Sequence, residues 1–338
     1  MLKESFLPWR GRKSRTFTLQ WHLTNLCEQH CRHCYDRTRR EVLPFEECLR
    51  IIDDLESFGK VRRVYPKISL SGGDPLLHPD FWRIYSEIAR RRIAVSILGN
   101  PITGATLDRL LEIAAPGCYQ VSLEGLREYN DHIRGNGHYD RVMEFLREAR
   151  SRGVHLHVML TLNKDNLDQV LPLGEGLRGL VDRFTFNRLA RTGEGEQLAH
   201  PDKAEFVSFL SRYMAARRSN PVLGAKDNLF NILRHDRKQT LLPGCTGFGC
   251  GAAFNFVALL PDGQVHACRK YPSPVGDIRH ETLAQIYDSP AALLYRHGSE
   301  ACRGCVLKRS CGGCPAFVYG EGLNPLSDRD PFCFFHGI

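Results

Sequence analysis

The chain has 338 residues, 46 Lys and Arg against 38 Asp and Glu for a formal charge of +8, and 42% hydrophobic with 9% aromatic residues. This is the composition of an ordinary globular protein of about two domains at roughly 150 residues each, and it excludes disorder, collagen and coiled coil. No run reaches the ~18 to 20 apolar residues of a membrane helix, and Lys3, Arg10, Arg12, Lys13 and Arg15 stand in the first twenty residues with no apolar stretch after them, so no signal peptide and a cytoplasmic location are expected.

After a basic segment over residues 1–15, residues 16–23 (TFTLQWHL) read as a strand that leads into a first group of cysteines. Residues 44–58 follow as an amphipathic helix. Strands are then expected at 64–70, 93–98, 119–123, 154–162 and 183–187, and helices at 79–91, 103–115 (capped by Thr103), 139–152 and 166–180, with a polar loop after the fourth strand. Strands alternating with helices imply a parallel sheet with right-handed crossovers. Both an open doubly wound sheet and a partial barrel of the TIM type satisfy that order, and both place chemistry in loops after the carboxyl ends of strands. Cys27, the Gly72-Gly73 turn, Gly99-Asn100 and the stretch from Ser122 to Gly125 all fall there. The core is expected over residues 16–200, a helical linker over 201–240 and a cysteine-rich domain over 241–338.

Thirteen cysteines are the anomaly. A reducing compartment does not keep disulfides, and an odd count leaves one thiol over, so metal is the expected use. Cys48, on the apolar stripe of its helix, and Cys118, at the head of a strand, read as core thiols. The segment CEQHCRHCY sets Cys27, Cys31 and Cys34 on one loop. Three thiols are one short of a closed zinc site unless His30 or His33 completes it, whereas a 4Fe-4S cluster with three ligands keeps one iron open. Cys245, Cys250, Cys268, Cys302, Cys305, Cys311, Cys314 and Cys333 make two sets of four, a count that suits two four-iron clusters or two zinc sites equally.

The first spacing, with Tyr35 immediately after the third cysteine, resembles the signature of the radical S-adenosylmethionine (SAM) superfamily. Gly72, Gly73 and Asp74 match that family's Gly-Gly-Glu motif, which holds the SAM amino group. The resemblance implies further SAM contacts at Asn100, Ser122, Arg134 and Leu189, and reductive cleavage of SAM to a 5'-deoxyadenosyl radical. It implies a partial (β/α)6 TIM-type barrel followed by a small iron-sulfur domain, because the tail resembles the SPASM extension, with a hairpin around Pro261-Asp262-Gly263. By the family pattern Cys245, Cys250, Cys268 and Cys314 hold one auxiliary 4Fe-4S cluster and Cys302, Cys305, Cys311 and Cys333 the other, the place of Cys314 being the least determined.

SPASM members mostly modify peptides, and WHLTNLC with FNRLARTGEG is most similar to maturases of selenobiotic-type ribosomal peptides. An acidic precursor peptide is the expected partner, with an external electron donor such as flavodoxin or ferredoxin and, since only 26 residues precede Cys27, a separate leader-binding protein. Nucleic acid and membrane are not expected partners. Arg269 stands where sulfatase-maturing relatives carry an Asp base, which argues against that reaction. A tetrapyrrole enzyme of haem or haem d1 synthesis is the alternative. No catalytic base is assigned: His155, His157, Tyr119 and Glu124 read as interior residues. Anaerobic reconstitution is expected to load about twelve irons per chain, and about four irons accompanied by zinc would refute the SPASM resemblance.

Overall fold

The computed structural model describes residues 7–9 and 12–337. Part of the basic amino-terminal segment, Lys3 and Arg10 included, therefore lies outside the described residues. β1 (Leu7–Trp9) and β2 (Arg12–Ser14) form an antiparallel pair. The chain then alternates: β3 (Thr16–Thr24), α1 (Phe45–Arg62), β4 (Tyr65–Gly72), α2 (Phe81–Arg90), β5 (Ala94–Leu98), α3 (Gly104–Ile113) and β6 (Cys118–Ser122). Thr103 caps α3 as expected, its hydroxyl accepting from the Thr106 N–H at 3.3 Å. The expected polar loop after β6 is instead helical: α4 (Arg127–Arg134) precedes α5 (His138–Ser151), then β7 (Leu156–Leu162), α6 (Val170–Gly176) and β8 (Arg183–Arg188). Sequence periodicity missed α4 because it is almost wholly polar, burying only Asn130 and Ile133.

Strands β3 to β8 are all parallel and lie in sequential order. A doubly wound sheet would reverse direction at its centre, so the order decides for the partial barrel. Alternation then assigns the two faces. Phe17, Leu19, Trp21, Ile68, Leu70, Val95 and Ile97 are buried against the outer helices, with the Phe17 ring 4.6 Å from that of Phe58 on α1. The registered partners Gln20, Ser69 and Ser96 face the interior and stay half-buried. A closed barrel packs such positions with apolar side chains; this one keeps an accessible polar lumen. Cys118 faces that lumen too and is half-buried rather than a core thiol, whereas Cys48 is fully buried.

Two helices, α7 (Lys203–Ala216) and α8 (Phe230–Asp236), lead to the cysteine-rich part, built from β9 (Phe256–Leu259), β10 (Gln264–His266), β11 (Pro274–Asp277), α9 (Leu283–Asp288), α10 (Pro290–His297) and α11 (Pro315–Gly320). The expected hairpin is present as β9 and β10, and β9 also pairs in parallel with β3, extending the barrel sheet to nine strands. A buried guanidinium supplies a second junction. Arg188, at the end of β8, donates from Nε to Asp227 at 2.8 Å and from Nη1 and Nη2 to Asp330 at 2.8 and 2.6 Å. Asp330 in turn accepts from the N–H groups of Cys314 and Phe332 at 3.0 Å each. Removing one partner of a buried pair strands the other charge, so Asp330→Ala is expected to cost about 3 kcal/mol. A fall in the chemical-denaturation midpoint reads this out, and an unchanged midpoint would refute the clamp.

Candidate functional site

Beyond β3 the chain leaves the sheet as an extended loop, and its sulfurs meet hydrogen-bond donors from three directions. The Gln29 N–H points at Cys27 Sγ at 3.4 Å, Asn100 Nδ2 reaches the same sulfur at 3.6 Å, and Arg134 Nη1 reaches Cys31 Sγ at 3.8 Å. Burial pushes the Cys31 thiol up, and the Arg134 cation pulls it back. The stretch after β8 packs on the same loop: Glu194 N–H donates to the Cys34 carbonyl at 2.9 Å. Gly193 allows this approach, because a Cβ there would stand 2.7 Å from that carbonyl oxygen. Tyr35 is half-buried beside it, its hydroxyl pushed up to about 12 by burial, with Arg269 opposing.

The Gly72-Gly73 turn lies against the start of this loop. Gly73 N–H donates to Thr24 O at 2.8 Å and Asp74 N–H to Leu26 O at 2.7 Å. A Cβ on Gly72 would meet Thr24 O at 2.1 Å, and one on Gly73 would meet Leu26 O at 2.2 Å, so only glycine admits the contact. Asp74 is thereby carried to Asn100, whose Nδ2 lies 3.2 Å from Asp74 Oδ2. Tyr119, an expected interior residue, is buried and fixes Asn100 by donating to its carbonyl at 2.8 Å. Burial raises the Asp74 carboxyl, and hydrogen bonds from Leu76 N–H and Asn100 oppose that.

Ser122 ends β6 facing the lumen opposite Met159. Two residues on, Glu124 proves to be the centre of a buried ionic network, a role the sequence reading missed. Its Oε1 accepts from Arg134 Nε at 2.9 Å and Nη2 at 2.5 Å and lies 3.3 Å from His33 Nε2, while its Oε2 accepts from Thr161 N–H at 2.7 Å. Burial disfavours its charge, but His33 and Arg134 outweigh that and hold the carboxyl well below the usual carboxylate range. Arg134 is therefore aimed at the cysteine loop by Glu124. The spacing of Glu124 and Arg134 across the unrecognised α4 was the missing signal. Leu189 is buried past the end of β8, with its N–H on Leu162 O at 3.0 Å. Of the other residues expected in the interior, His157 is half-buried against Thr185 Oγ1 at 2.9 Å, but His155 is exposed, because it lies just ahead of β7 and pairs with Asp182 at the surface at 3.2 Å.

In the tail, Cys302, Cys305, Cys311 and Cys333 line one cavity. Cys250 stands within electrostatic reach of Cys245, Cys268 and Cys314. Asn228 and Asn231, around the start of α8, anchor these turns by donating to Gly313 O and Ser310 O at 2.7 Å each. One local motif recurs: the N–H two residues downstream points back at the sulfur, from Ala252 to Cys250, from Lys270 to Cys268 and from Gly313 to Cys311, as from Gln29 to Cys27. Anionic sulfur requires such donors, and they are the usual surroundings of iron-sulfur ligands. Among the described residues no three His, Cys, Asp or Glu side chains converge on a single-ion position. Arg269, directly after Cys268, reaches back into the barrel and donates to Ser71 Oγ at 3.0 Å, so the tail meets the lumen beside the Gly-Gly turn.

Residues 21–175 match the radical SAM superfamily and residues 250–315 the SPASM iron-sulfur cluster-binding domain. The chain is similar to the AdoMet-dependent heme synthase of Methanosarcina barkeri, 25% identical over 94% of this chain and 96% of that one. It is also similar to the mycofactocin maturase MftC of Mycobacterium tuberculosis, 28% identical over 93% and 82%. Among solved structures, Streptococcus suis SuiB bound to precursor peptide SuiA shares the fold, with TM-score 0.75 at 18% identity over 96% of this chain and 77% of that chain. No helix among the described residues is long and apolar enough to cross a membrane. With both domain models matched in order on a parallel partial barrel and its cysteine-rich extension, the chain is a radical SAM enzyme carrying a SPASM domain.

Proposed function

We propose that this enzyme is a peptide maturase that abstracts a hydrogen atom from a ribosomally made precursor peptide to install a modification. The observation that carries the reading is Asn100, whose amide reaches both Cys27 Sγ and the Asp74 carboxylate. It joins the three-thiol loop to the acid of the glycine turn at one point. Cys27, Cys31 and Cys34 would hold a cluster with one iron left for SAM, which on receiving one electron would supply a 5'-deoxyadenosyl radical and release methionine. Asp74 and the turn around Gly72 and Gly73 offer acceptors to an ammonium group, and Arg134 and Ser122 offer donors to a carboxylate. Tyr35 and Leu189 form apolar walls beside them. Two auxiliary clusters, on Cys245, Cys250, Cys268 and Cys314 and on Cys302, Cys305, Cys311 and Cys333, have full thiolate sets and therefore suit electron transfer. Under this reading the core spans 16–200, the linker 201–240 and the SPASM domain 241–338, and the partners are an external flavodoxin- or ferredoxin-type donor and a separate leader-binding protein.

The SuiB likeness, a fold seen with a precursor peptide bound, and the eight tail cysteines favour the peptide. A tetrapyrrole substrate is the second reading, favoured by the match along nearly the whole length of the heme synthase. Mass spectrometry after incubation with the candidate precursor peptide, or with an iron porphyrin, separates the two.

Cys31→Ala is expected to abolish 5'-deoxyadenosine formation under reductant, and retained cleavage would refute the assignment of that loop. Cys302→Ala is expected to keep SAM cleavage and lose the modified product, as a mass-shift assay would show. Loss of cleavage as well would mean that the Cys302 set is not auxiliary.

A further inference from the structure

The lumen of the barrel has an electrical sign. Its inward positions are mostly Ser, Thr, Gln and Asn, and none on β3 to β8 is an Asp or Glu. Cations collect instead on the side bounded by β8. Arg183 opens β8 at the amino-terminal mouth of the barrel, where it is exposed, in register with inward-facing His157 on β7. Residues 222–226 run beside β8, with Gly224 N–H on Phe184 O at 2.7 Å. The Arg183 side chain lies across this stretch, since a Cβ on Gly224 would stand 2.6 Å from Arg183 Nε. Lys226 follows, half-buried, in electrostatic reach of Arg183, Arg269 and Lys270, and burial lowers its ammonium to about 8, with Cys245 opposing and the three cations adding to the fall. Burial, then Lys226 and Arg183, keep His157 neutral by lowering it to about 3.

Part of this charge answers the tail sulfurs: Lys270 faces Cys314 and Cys268, and Lys226 faces Cys245. Arg183 faces none of those sulfurs, and the neighbouring Asp182 is already engaged by Arg150 at 2.9 Å and His155 at 3.2 Å. Among the described residues, Arg183 has no carboxylate partner within ion-pair distance. Gathering cations beside a polar lumen, with Arg183 facing no carboxylate and Lys226 facing only the Cys245 sulfur, raises the local concentration of anions and rewards a ligand that brings negative groups.

We propose that this side of the lumen binds the substrate through its carboxylate groups, with Arg183 and Lys226 as the anchors. The inference rests on the radical-enzyme reading above and names the chemistry its substrate must carry: acidic side chains of a peptide or the propionates of a tetrapyrrole. Two probes tell these apart in titrations of the reconstituted holoenzyme, coproporphyrin III followed by absorbance and a fluorescein-labelled octaglutamate peptide followed by anisotropy. At least one is expected to bind saturably, and more weakly as salt rises. Lys226→Gln and Arg183→Gln are each expected to weaken that binding about tenfold, the size of one lost charge-assisted contact, and Lys226→Arg to restore it. Cluster absorbance and circular dichroism confirm that each variant is folded and loaded. Porphyrin binding alone assigns the carboxylates to a tetrapyrrole, and peptide binding alone to acidic side chains. Binding of neither probe, equal binding of coproporphyrin tetramethyl ester, or unchanged affinity in both Gln variants overturns the proposal. SAM cleavage by the unmodified enzyme is measured separately, so failure of the radical chemistry and failure of the carboxylate site are distinguishable.

Discussion

β3 is hydrogen-bonded along both edges, to β4 on one side and to β9 on the other, and the geometry of the whole site follows from that double pairing. A parallel ladder fixes where each strand ends relative to its neighbour. Pairing with β4 brings the Gly72-Gly73 turn against the first residues of the cysteine loop. Pairing with β9 fixes the hairpin that ends at Cys268 and Arg269, so the tail cysteines are held in the same hydrogen-bonded frame. The Arg188 pair with Asp227 and Asp330 acts from the opposite edge of the barrel. A guanidinium this deeply buried needs both carboxylates, and Asp330 spends its remaining acceptor capacity on the N–H of Cys314.

Charge is distributed with the same economy of place. Near the cysteine loop the buried charges are partnered: Glu124 pairs with Arg134 and accepts from Thr161 N–H, and Asn100 bridges a sulfur and a carboxylate. Such fully satisfied networks hold side chains in one arrangement in a low-dielectric setting. At the start of β8 the pattern reverses, and Arg183 stands without a facing carboxylate, whereas Arg188 at the other end of the strand is clamped by two. The contrast separates a region built to orient a bound group from one suited to receive a charged ligand.

Much of the architecture was legible because it is local. Apolar alternation marked β3 to β8, Thr103 marked the start of α3, and the Pro-Asp-Gly turn marked the β9–β10 hairpin. The helix α4 escaped because its few buried residues leave no apolar stripe, and with it went the relation between Glu124 and Arg134. Cys118 misled in the other direction. At a strand head the pattern reads as core, but its register partners place it in the polar lumen.

The amino-acid sequence by itself determined the chemistry available: three thiols on one loop, eight in the tail, a Gly-Gly-Asp turn, and strands and helices in alternation. Those are properties of short segments, where spacing and propensity suffice. The strand and helix order left barrel and open sheet both possible, the motif resemblance implied the barrel, and the tertiary structure bore it out. The tertiary structure alone decided that β9 joins the sheet and that Arg188 meets an aspartate 142 positions away. It alone brought Arg183 and Lys226 to one wall of the lumen. Strand order, lumen sign and buried ion pairs depend on which segments lie side by side, and no local pattern encodes contacts between residues so far apart along the chain.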